Sequence, residues 1–386
     1  MSIQTIDDCF YQIRNGANIK QGTVDGGYPI TRIETIANDK FNRDRMGYAG
    51  ITDLDKYQNY VLEDGDLLMS HINSAQYLGR TVLYEKQGDE KIIHGMNLLG
   101  LKARRDIIMP AYARYCFYSQ PFRDQIGKIT KKSVNQASFA VADLKKIKID
   151  VPNLSEQNRV VDILNRVNQV IDERRQELQK LDELIKARFV EMFGDPATNP
   201  MNWNKVNISE VIGGKVSNGF FAKRDDYVEE GNVSVMGVAY VVNRMYSQWQ
   251  DLPRTNGTDK DIEKFEVKYG DMLFCRSSLV AEGIGKASIV PEDVPEKTLF
   301  ECHVIRLPLD LTKCVPEFVQ VLSTTEFFRQ QIISQSKTAT MTTIGQDGIL
   351  KTDIILPPID KQREFYAFVK QVDKSKFMNS KCCMAL

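Results

Sequence analysis

Apolar residues recur with heptad spacing between residues 155 and 193. One heptad position is apolar with two arginines interrupting it, at Val160, Val167, Arg174, Leu181 and Arg188. The other position is apolar throughout, at Leu164, Ile171, Leu178, Ile185 and Met192. This spacing predicts an amphipathic helix of roughly 55 Å at 1.5 Å per residue. An apolar seam of that length needs a partner to cover it.

The predicted helix has a signal at each end. Ser155 is a suitable N-cap, and Glu156 places negative charge at the positive end of the helix dipole. The run Gly194-Asp195-Pro196 predicts the end, because glycine adopts the left-handed cap conformation and proline cannot continue a helix.

A second, shorter helix with the same pattern is predicted near the end of the chain. Asp360 is its predicted N-cap, and Phe365, Val369 and Val372 repeat the apolar positions. Polar residues then interrupt the pattern, at Lys376 and Asn379. We expect the two helices to form an intramolecular antiparallel coiled coil. The alternative is that the central helix packs on its own globular domains as a linker.

The chain also carries a long internal repeat. Gly65-Asp66 recurs as Gly270-Asp271, an offset of 205 (270 minus 65), and PNLSEQ at 152–157 recurs as PPIDKQ at 357–362. Between these points the register slides by one residue, so that Arg80 corresponds to Lys286. Solenoid repeats have periods of roughly 20–50 residues, so this repeat is instead a duplicated domain. Two similar modules on one chain indicate a protein that reads two separated targets.

Short apolar runs and turn residues surround the helices. Runs such as 66–69 and 147–151 predict strands, and helices are expected near 111–125 and 316–333. The predicted fold class is α+β, with two mixed α/β domains separated by long helices that form an antiparallel coiled coil. The predicted boundaries are 1–152 for the first domain, 153–197 for the central helix, 198–357 for the second domain and 358–386 for the second helix.

Composition places the chain among ordinary globular proteins. Of 386 residues, 42% are hydrophobic, and 51 basic side chains balance 51 acidic ones, so any nucleic-acid contact must come from local patches. No apolar run reaches the 18 residues of a membrane span, and no leader pattern opens the chain. The seven cysteines show no CxxC spacing, which indicates reduced thiols in a cytoplasmic protein.

The motifs of common enzymes are missing. Val280 stands where a phosphate-binding loop ending at Gly285-Lys286 would need its first glycine, and no third glycine completes a dinucleotide fingerprint there. The three histidines are isolated, which argues against a metal site. The triplet Glu266-Val267-Lys268 matches a nuclease fragment that often arises by chance. We therefore predict a non-catalytic protein.

Side chains suited to DNA recur at matched places in the two copies. Lysine and arginine contact phosphates, while arginine and amide side chains read base edges. In the first copy the candidates are Arg43, Arg45, His71, Asn73, Ser74, Arg80, Lys131, Lys132, Asn135 and Gln136. In the second copy they are Lys223, Arg224, Arg276, Ser277, Ser278, Lys286 and Lys337. Solvated surface charge explains any one of them, and drift of duplicated loops would give the same recurrence.

Two segments resemble a known family. PNLSEQ followed by the heptad helix, and then EMFGDP at 191–196 with Asn199 and Trp203, resemble the specificity subunit of type I restriction–modification systems. The stretch GDMLFCRSS at 270–278 is typical of its target-recognition domains. The resemblance covers essentially the whole chain, in the order target domain, helix, target domain, helix.

The resemblance implies a division of labour. A specificity subunit has no active site, and each recognition domain reads one half of a bipartite, asymmetric DNA sequence. Its helices hold the domains apart and bind two modification subunits, which methylate adenine with S-adenosylmethionine. Restriction subunits add ATP-dependent translocation and cleavage. The cofactors S-adenosylmethionine, ATP and Mg²⁺ are thus expected on partner subunits only, and none on this chain.

One departure from the family concerns the second helix. It is shorter than usual, and residues 376–386 lose the heptad, as in a truncated or rearranged gene product. Pairing with the central helix and docking of a second modification subunit depend on this segment. Two rival hypotheses remain open: a coiled-coil scaffold that never binds DNA, and an enzyme such as a nuclease or a fused methyltransferase.

Overall fold

The computed structural model describes residues 2–24, 27–133, 136–338 and 341–384, with 377–384 as backbone only. The chain divides into two compact units, Met1–Val170 and Ile171–Leu386, here called unit 1 and unit 2. The division falls inside a single long helix, Leu154–Phe193.

Unit 1 is built from short strands and helices. Its strands β1–β11 are Ser2–Thr5, Phe10–Asn15, Pro29–Ile30, Gly47–Tyr48, Leu67–Ser70, Ile72–Asn73, Thr81–Leu83, Leu98–Ala103, Lys131–Lys132, Ala137–Ser138 and Lys148–Val151. Its helices α1–α4 are Ile6–Cys9, Pro110–Tyr118, Gln120–Ile129 and Val141–Leu144, and α5 is Leu154–Phe193. Its 3₁₀ turns are Ile33–Asp39, Arg43–Arg45, Asp55–Tyr60 and Ala75–Tyr77.

Unit 2 repeats this composition with a few additions. Its strands β12–β23 are Asn204–Asn207, Ser217–Asn218, Val233–Met236, Arg254–Thr255, Asp271–Cys275, Ser277–Ser278, Ala287–Ile289, Thr298–Phe300, Val304–Pro308, Lys337–Thr338, Thr342–Thr343 and Asp353–Leu356. Its helices α6–α10 are Asp259–Phe265, Pro316–Ser323, Glu326–Gln335, Gln346–Leu350 and Ile359–Met384. Its 3₁₀ turns are Ile208–Val211, Arg224–Asp226, Val238–Tyr240 and Ala281–Gly283.

Both units use the same three sheets. A four-stranded antiparallel sheet has the order β2-β8-β5-β7 in unit 1 and β13-β20-β16-β18 in unit 2. The first and last strands of each unit pair, as β1 with β11 and as β12 with β23. A short three-stranded sheet completes each set, in the order β6-β10-β9 and β17-β22-β21. The repeat seen in the sequence is therefore a repeat of the fold, and the predicted α+β class is confirmed.

The central strand of each four-stranded sheet is buried on both faces. In unit 1, Leu67 and Met69 of β5 share a core with Phe117 and Phe122 of the helices, whereas Leu68 lies in a second buried cluster. The side chains separate because successive residues of a strand point to opposite faces. Burial on both faces explains why the run after each Gly-Asp reads as continuously apolar.

The Gly-Asp pair makes the same turn in both units. Gly65 has a φ of +88° and Gly270 a φ of +82°, in the left-handed region that glycine favours. The carboxylates of Asp66 and Asp271 each accept the amide N–H of the residue three positions earlier, at 2.9 Å. The repeated motif thus starts the central strand of its sheet.

The helices predicted near 111–125 and 316–333 are present, each interrupted once. In unit 1, α2 ends at Tyr118 and α3 begins at Gln120, with Pro121 in its first turn. In unit 2, the Thr325 hydroxyl caps α8 by accepting the amide N–H of Phe328 at 3.4 Å. The interruption follows from these residues, since proline and a threonine cap both begin new helices.

The ends of the central helix were partly predicted. Asn153, rather than Ser155, caps α5, because its side-chain oxygen accepts the amide N–H of Glu156 at 3.0 Å. Asp360 likewise lies inside the first turn of α10, so both capping predictions are wrong. The predicted end is confirmed, since α5 stops at Phe193 and Gly194 has a φ of +73°.

Within unit 2 the last turns of α5 run antiparallel to α10. The ring of Phe365 lies 5.7 Å from that of Phe189 and 5.6 Å from that of Phe193, between centroids. Further along, the ammonium of Lys376 lies 2.7 Å from a carboxylate oxygen of Asp182. The predicted seam residues that share this core are Leu181, Ile185, Phe365, Val369 and Val372. The predicted antiparallel pairing is thus confirmed over this part of the two helices.

The first turns of α5 pack differently from the predicted seam. Val160 is 37% exposed, and its neighbour Val161 is buried in the core of unit 1 instead. Partly exposed seam positions follow it, at Leu164, Val167, Ile171 and Leu178. The heptad pattern predicted the apolar stripe of α5. It did not predict which side of the helix packs against the core of unit 1.

A buried glutamine ties each helix to its domain. The Gln157 amide accepts the N–H of Met109 and donates to the carbonyl of Ile107, each at 2.8 Å. In unit 2, the Gln362 amide accepts the N–H of Val315 at 2.9 Å and donates to a carbonyl at its own helix start, 2.8 Å away. Both side chains are fully buried. The repeated Pro-x-x-x-x-Gln motif is therefore a polar clamp between a helix and the loop before α2 or α7.

Candidate nucleic-acid interface

In unit 1 the short sheet gathers three of the predicted DNA-binding residues. Asn73 of β6 and Lys132 of β9 both pair with Ala137 of the middle strand β10. Lys131 pairs with Ser138 in the same sheet, and both lysines are exposed. We call this sheet polar ribbon 1. Its cations come from a segment some sixty residues away in sequence from Asn73, so the pairing alone brings them together.

Unit 2 builds the equivalent sheet, polar ribbon 2. Ser277 and Ser278 of β17 pair with Thr343 and Thr342 of β22, and Lys337 of β21 pairs with Thr343 from the other side. Lys337 is exposed and both serines are partly exposed. Serine and threonine hydroxyls replace much of the cationic character of polar ribbon 1. The two ribbons share a framework and differ in the side chains that they present.

The residue before each ribbon shows the largest change between the units. His71 is buried, and burial lowers the pKa of its imidazole, so the ring is neutral at pH 7. Its counterpart Arg276 is partly exposed, and its guanidinium donates to the carbonyl of Cys302 at 3.2 Å. The backbone carbonyl of His71 accepts the N–H of Phe139, and the backbone carbonyl of Arg276 accepts the N–H of Ile344. The residue next to the ribbon is therefore a buried histidine in unit 1 and a partly exposed arginine in unit 2.

Arg80 and Lys286 occupy matched positions, and each binds one polar side chain. The partner of Arg80 is charged, whereas the partner of Lys286 is neutral. The guanidinium of Arg80 lies 2.9 Å from a carboxylate oxygen of Asp39 and stacks over Tyr77 at 4.7 Å. The ammonium of Lys286 donates to the amide oxygen of Asn243 at 2.7 Å. Because an amide carries no charge, Lys286 retains a net positive charge at its site, whereas Asp39 offsets that of Arg80.

Arg43 is held inside unit 1 by several partners. Its guanidinium pairs with the Glu90 carboxylate at 2.6 Å and donates to the carbonyl of Glu85 at 2.8 Å. The Arg43 guanidinium is the main reason that the pKa of Glu90 falls to about 2. A side chain with this many internal contacts stabilises the domain, and reaching DNA would require breaking them.

The remaining predicted residues lie at the surface or outside the described chain. The exposed ones are Arg45, Ser74, Gln136, Lys223 and Arg224. Asn135 lies outside the described residues. The ribbons thus gather Asn73, Lys131 and Lys132 in one unit and Ser277, Ser278 and Lys337 in the other.

Sequence reasoning missed several exposed apolar side chains of unit 2. Leu279, directly after β17, is 81% exposed, and Val280 is 59% exposed. Phe221, two residues before Lys223, is 69% exposed. Apolar side chains among polar ones can contact thymine methyl groups. The sequence contained a signal for this, since the apolar pair Leu279-Val280 directly follows two serines.

Among the described residues, no group of three His, Cys, Asp or Glu side chains could hold a metal ion. None of the described helices is both long and apolar enough to cross a bilayer.

A known domain family matches the first half of the chain. The profile of the "Type I restriction modification DNA specificity domain" matches residues 4–183. The resemblance read from the sequence is thereby confirmed, and the matched stretch contains polar ribbon 1 and most of α5.

Curated relatives are specificity subunits. The chain is 32% identical over 209 residues to a Methanocaldococcus jannaschii protein named for the specificity subunit of type I restriction enzyme MjaX, with 54% of this chain and 49% of that protein covered. It is 20% identical over 372 residues to the Escherichia coli EcoKI specificity subunit and 23% identical over 370 to the Salmonella potsdam StySPI specificity subunit, with 89% of this chain and 75% of each relative covered. The chain thus spans about half the length of the archaeal relative.

Solved specificity-subunit structures share the fold. The chain matches the S subunit of a type I restriction–modification system from M. genitalium with a TM-score of 0.51 at 12% identity, over 100% of this chain and 92% of that one. A second structure, from work on assembly and conformational transition of the type I system, matches with a TM-score of 0.50 at 15% identity, over 100% and 94% of the chains. At such identities the likeness shows the fold alone.

Proposed function

We propose that this chain is the DNA specificity subunit of a type I restriction–modification complex. Each unit reads one half of a bipartite, asymmetric DNA site with its polar ribbon. The observation that carries the proposal is the pair of ribbons, built on one framework and tipped with different side chains. The framework of the sheet is kept while Asn73 is replaced by Ser278 and Lys132 by Thr338, as two readers of different half-sites would require.

The side chains suggest how each half-site is read. The major groove admits a β-ribbon, and lysines at its edge can reach phosphates on either side. An arginine such as Arg276 can donate to guanine through two hydrogen bonds, and an asparagine such as Asn73 can pair with adenine in the same way. Leu279 adds an apolar tip for thymine methyl groups.

Assembly and chemistry are assigned to partner subunits. We propose that two modification subunits dock on the helices and methylate adenine, and that restriction subunits translocate and cleave unmethylated DNA. S-adenosylmethionine, ATP and Mg²⁺ then belong to those partners, in the cytoplasm. Residues 1–152 and 198–357 serve as the recognition domains, with 153–197 as spacer and 358–386 as second helix. The exposed apolar side chains of α5 supply a separate docking surface in each unit, at Leu154, Val160, Ile163 and Val170 in unit 1 and at Leu184 and Val190 in unit 2.

Footprinting tests the bipartite model directly. Purified chain with its modification subunits should protect two short DNA blocks separated by an unprotected gap. A single continuous footprint, or protection without sequence preference, contradicts the model. A mobility shift on random-sequence duplex at low salt tests the scaffold hypothesis, which predicts no complex at all.

Arg276→Ala should weaken recognition of one half-site only. Loss of a bidentate arginine–guanine contact costs about 1–3 kcal/mol of discrimination at that base. Competition binding with sites mutated in either half measures the effect. Arg254→Ala is the matched control, because Arg254 also donates to a backbone carbonyl, that of Gly231 at 2.9 Å, but lies in a different sheet. Equal loss of discrimination at both half-sites would mean that Arg276 does not act in the recognition of one half-site by unit 2.

Lys132→Ala should weaken DNA binding equally on all sequences and flatten its salt dependence. Each phosphate contact that is lost changes the slope of log K against log salt by about 0.9. Titrations between low and moderate salt measure the slope. Lys148→Ala, on an exposed lysine of β11 outside the ribbon, is the control. An unchanged slope for Lys132→Ala would mean that polar ribbon 1 does not meet phosphates.

A further inference from the structure

Unit 2 contains a cavity that the DNA-reading proposal does not use. It is open to solvent, measures about 650 Å³ and lies between α7, α10 and the loops around β16 and β18. Three tyrosines form much of its wall, Tyr246, Tyr269 and Tyr366. Acidic side chains complete it, at Glu292, Asp293, Glu317 and Asp373, and two lysines stand at its rim, Lys370 and Lys374. We call it the tyrosine–carboxylate cavity.

Glu317 is a buried acid with a vacant oxygen. Its residue is 1% exposed, and its Oε1 accepts the hydroxyl of Tyr246 at 3.0 Å. Its Oε2 is buried and has no hydrogen-bond partner among the residues whose side chains are described. Burial raises the pKa of Glu317. A buried carboxylate oxygen without a donor costs free energy that a bound donor would recover.

Asp373 repeats this pattern across the cavity. Its Oδ2 is buried without a partner among the described side chains, and burial raises the pKa of this carboxyl too. The ammonium of Lys376 lies 3.4 Å from Oδ1, yet 2.7 Å from Asp182, so its charge is shared with a second acid. Two residues that line the cavity therefore each hold a buried carboxylate oxygen without a donor among the described side chains.

The rim lysines leave the site accessible. The ammonium of Lys370 lies 5.9 Å from the ring centroid of Tyr366, and Lys374 is exposed. Asp293 is already engaged, since its carboxylate accepts the indole N–H of Trp249 at 3.2 Å. Aromatic faces next to carboxylates favour cations that also carry apolar surface.

The fold itself does not demand these acids. In unit 1 the matched positions hold Ala111 (317 minus 206) and Asn168 (373 minus 205). The Asn168 amide donates to the hydroxyl of Tyr115 at 3.0 Å, so its polar group is satisfied internally. The same helix pair therefore exists without a buried carboxylate, and the acid pair is a property of unit 2 alone.

We propose that the tyrosine–carboxylate cavity binds an organic cation, an alkylammonium or guanidinium group that donates to Glu317 and Asp373 and stacks on the tyrosines. The donors fill the two vacant oxygens, and the carbon chain covers the aromatic wall. Free diamines and the lysine or arginine side chain of another protein share this chemistry.

Calorimetric titration of the full chain with agmatine and with cadaverine tests the proposal. Saturable one-site binding is expected for at least one probe, and the neutral analogue 1,5-pentanediol should not bind. Glu317→Gln should weaken binding about tenfold or more, since it removes a charged hydrogen bond. Glu263→Gln, on an exposed carboxylate of α6, is the matched control and should bind as the unaltered chain does. Absence of saturable binding, or equal binding by Glu317→Gln, overturns the proposal.

A second variant tests the proposal in case Glu317→Gln does not fold. Tyr269 is 36% exposed, so Tyr269→Leu should fold and weaken binding several-fold through loss of its aromatic face. Unchanged affinity in this variant also overturns the proposal. A blocked arginine-containing tripeptide distinguishes the sources. Tighter binding of the peptide than of agmatine identifies a protein side chain, and the reverse identifies a free cation.

Discussion

Phe365→Ala is expected to lower the free energy of unfolding of unit 2 by about 3–5 kcal/mol. The ring is fully buried, with Phe189 and Phe193 of α5 5.7 and 5.6 Å away between centroids. Those two rings also pack on Phe318 of α7, at 5.5 and 4.9 Å. Truncation leaves a cavity among three aromatic rings that cannot all move in to fill it.

Tryptophan fluorescence gives a selective measurement. The chain has two tryptophans, Trp203 and Trp249, and both lie in unit 2. The Trp203 ring packs 6.4 Å from that of Phe193, and its indole N–H donates to the Phe193 carbonyl at 3.0 Å. Urea unfolding followed by this signal therefore reports the core that Phe365 belongs to.

Phe368→Ala provides the control for the loss of a ring. Phe368 lies on the same helix, is only partly buried and faces the Arg188 guanidinium at 5.7 Å. Its truncation is expected to cost about 1 kcal/mol. Equal midpoints for the two variants would mean that Phe365 is not central to the joint core of α5 and α10.

The heptad pattern predicted these helices because their apolar spacing is a local property. It identified α5 and the pairing through Phe365, Val369 and Val372, while the end of α5 followed from the local signal at Gly194. It missed that Val161 rather than Val160 enters the core of unit 1. Which side of a helix is covered depends on the domain packed against it, and that is a long-range property.

The repeat predicted two similar domains but not how their polar residues meet. Lys131 and Asn73 share a sheet only because β9 and β10 return to β6, a strand of two residues that carries no recognisable pattern. Burial of His71 and of Glu317 was equally hidden, since each depends on side chains distant in sequence. The sequence was enough to name candidate residues. The structure was needed to show which of them lie in the polar ribbons, which are buried beside them and which line the cavity.

Gln362→Met is expected to destabilise unit 2 by about 2–4 kcal/mol, although methionine nearly matches glutamine in shape. The substitution removes the acceptor of the Val315 N–H, at 2.9 Å, and the donor to the Pro357 carbonyl, at 2.8 Å. Both backbone groups would then stay buried without partners, at about 1–3 kcal/mol each. Tryptophan-detected urea unfolding measures the loss, and hydrogen exchange at the Val315 amide locates it.

Gln371→Met separates the clamp from general effects of the substitution. Gln371 lies exposed on the same helix, so the same change should alter the free energy of unfolding by less than about 0.5 kcal/mol. Gln157→Met should reproduce the defect in unit 1, seen as faster exchange of the Met109 amide. If Gln362→Met unfolds at the same urea concentration as Gln371→Met, hydrophobic packing alone docks the helix. A large difference would instead explain why the glutamine recurs 205 residues later (362 minus 157), since in both units it anchors a recognition domain to its helix.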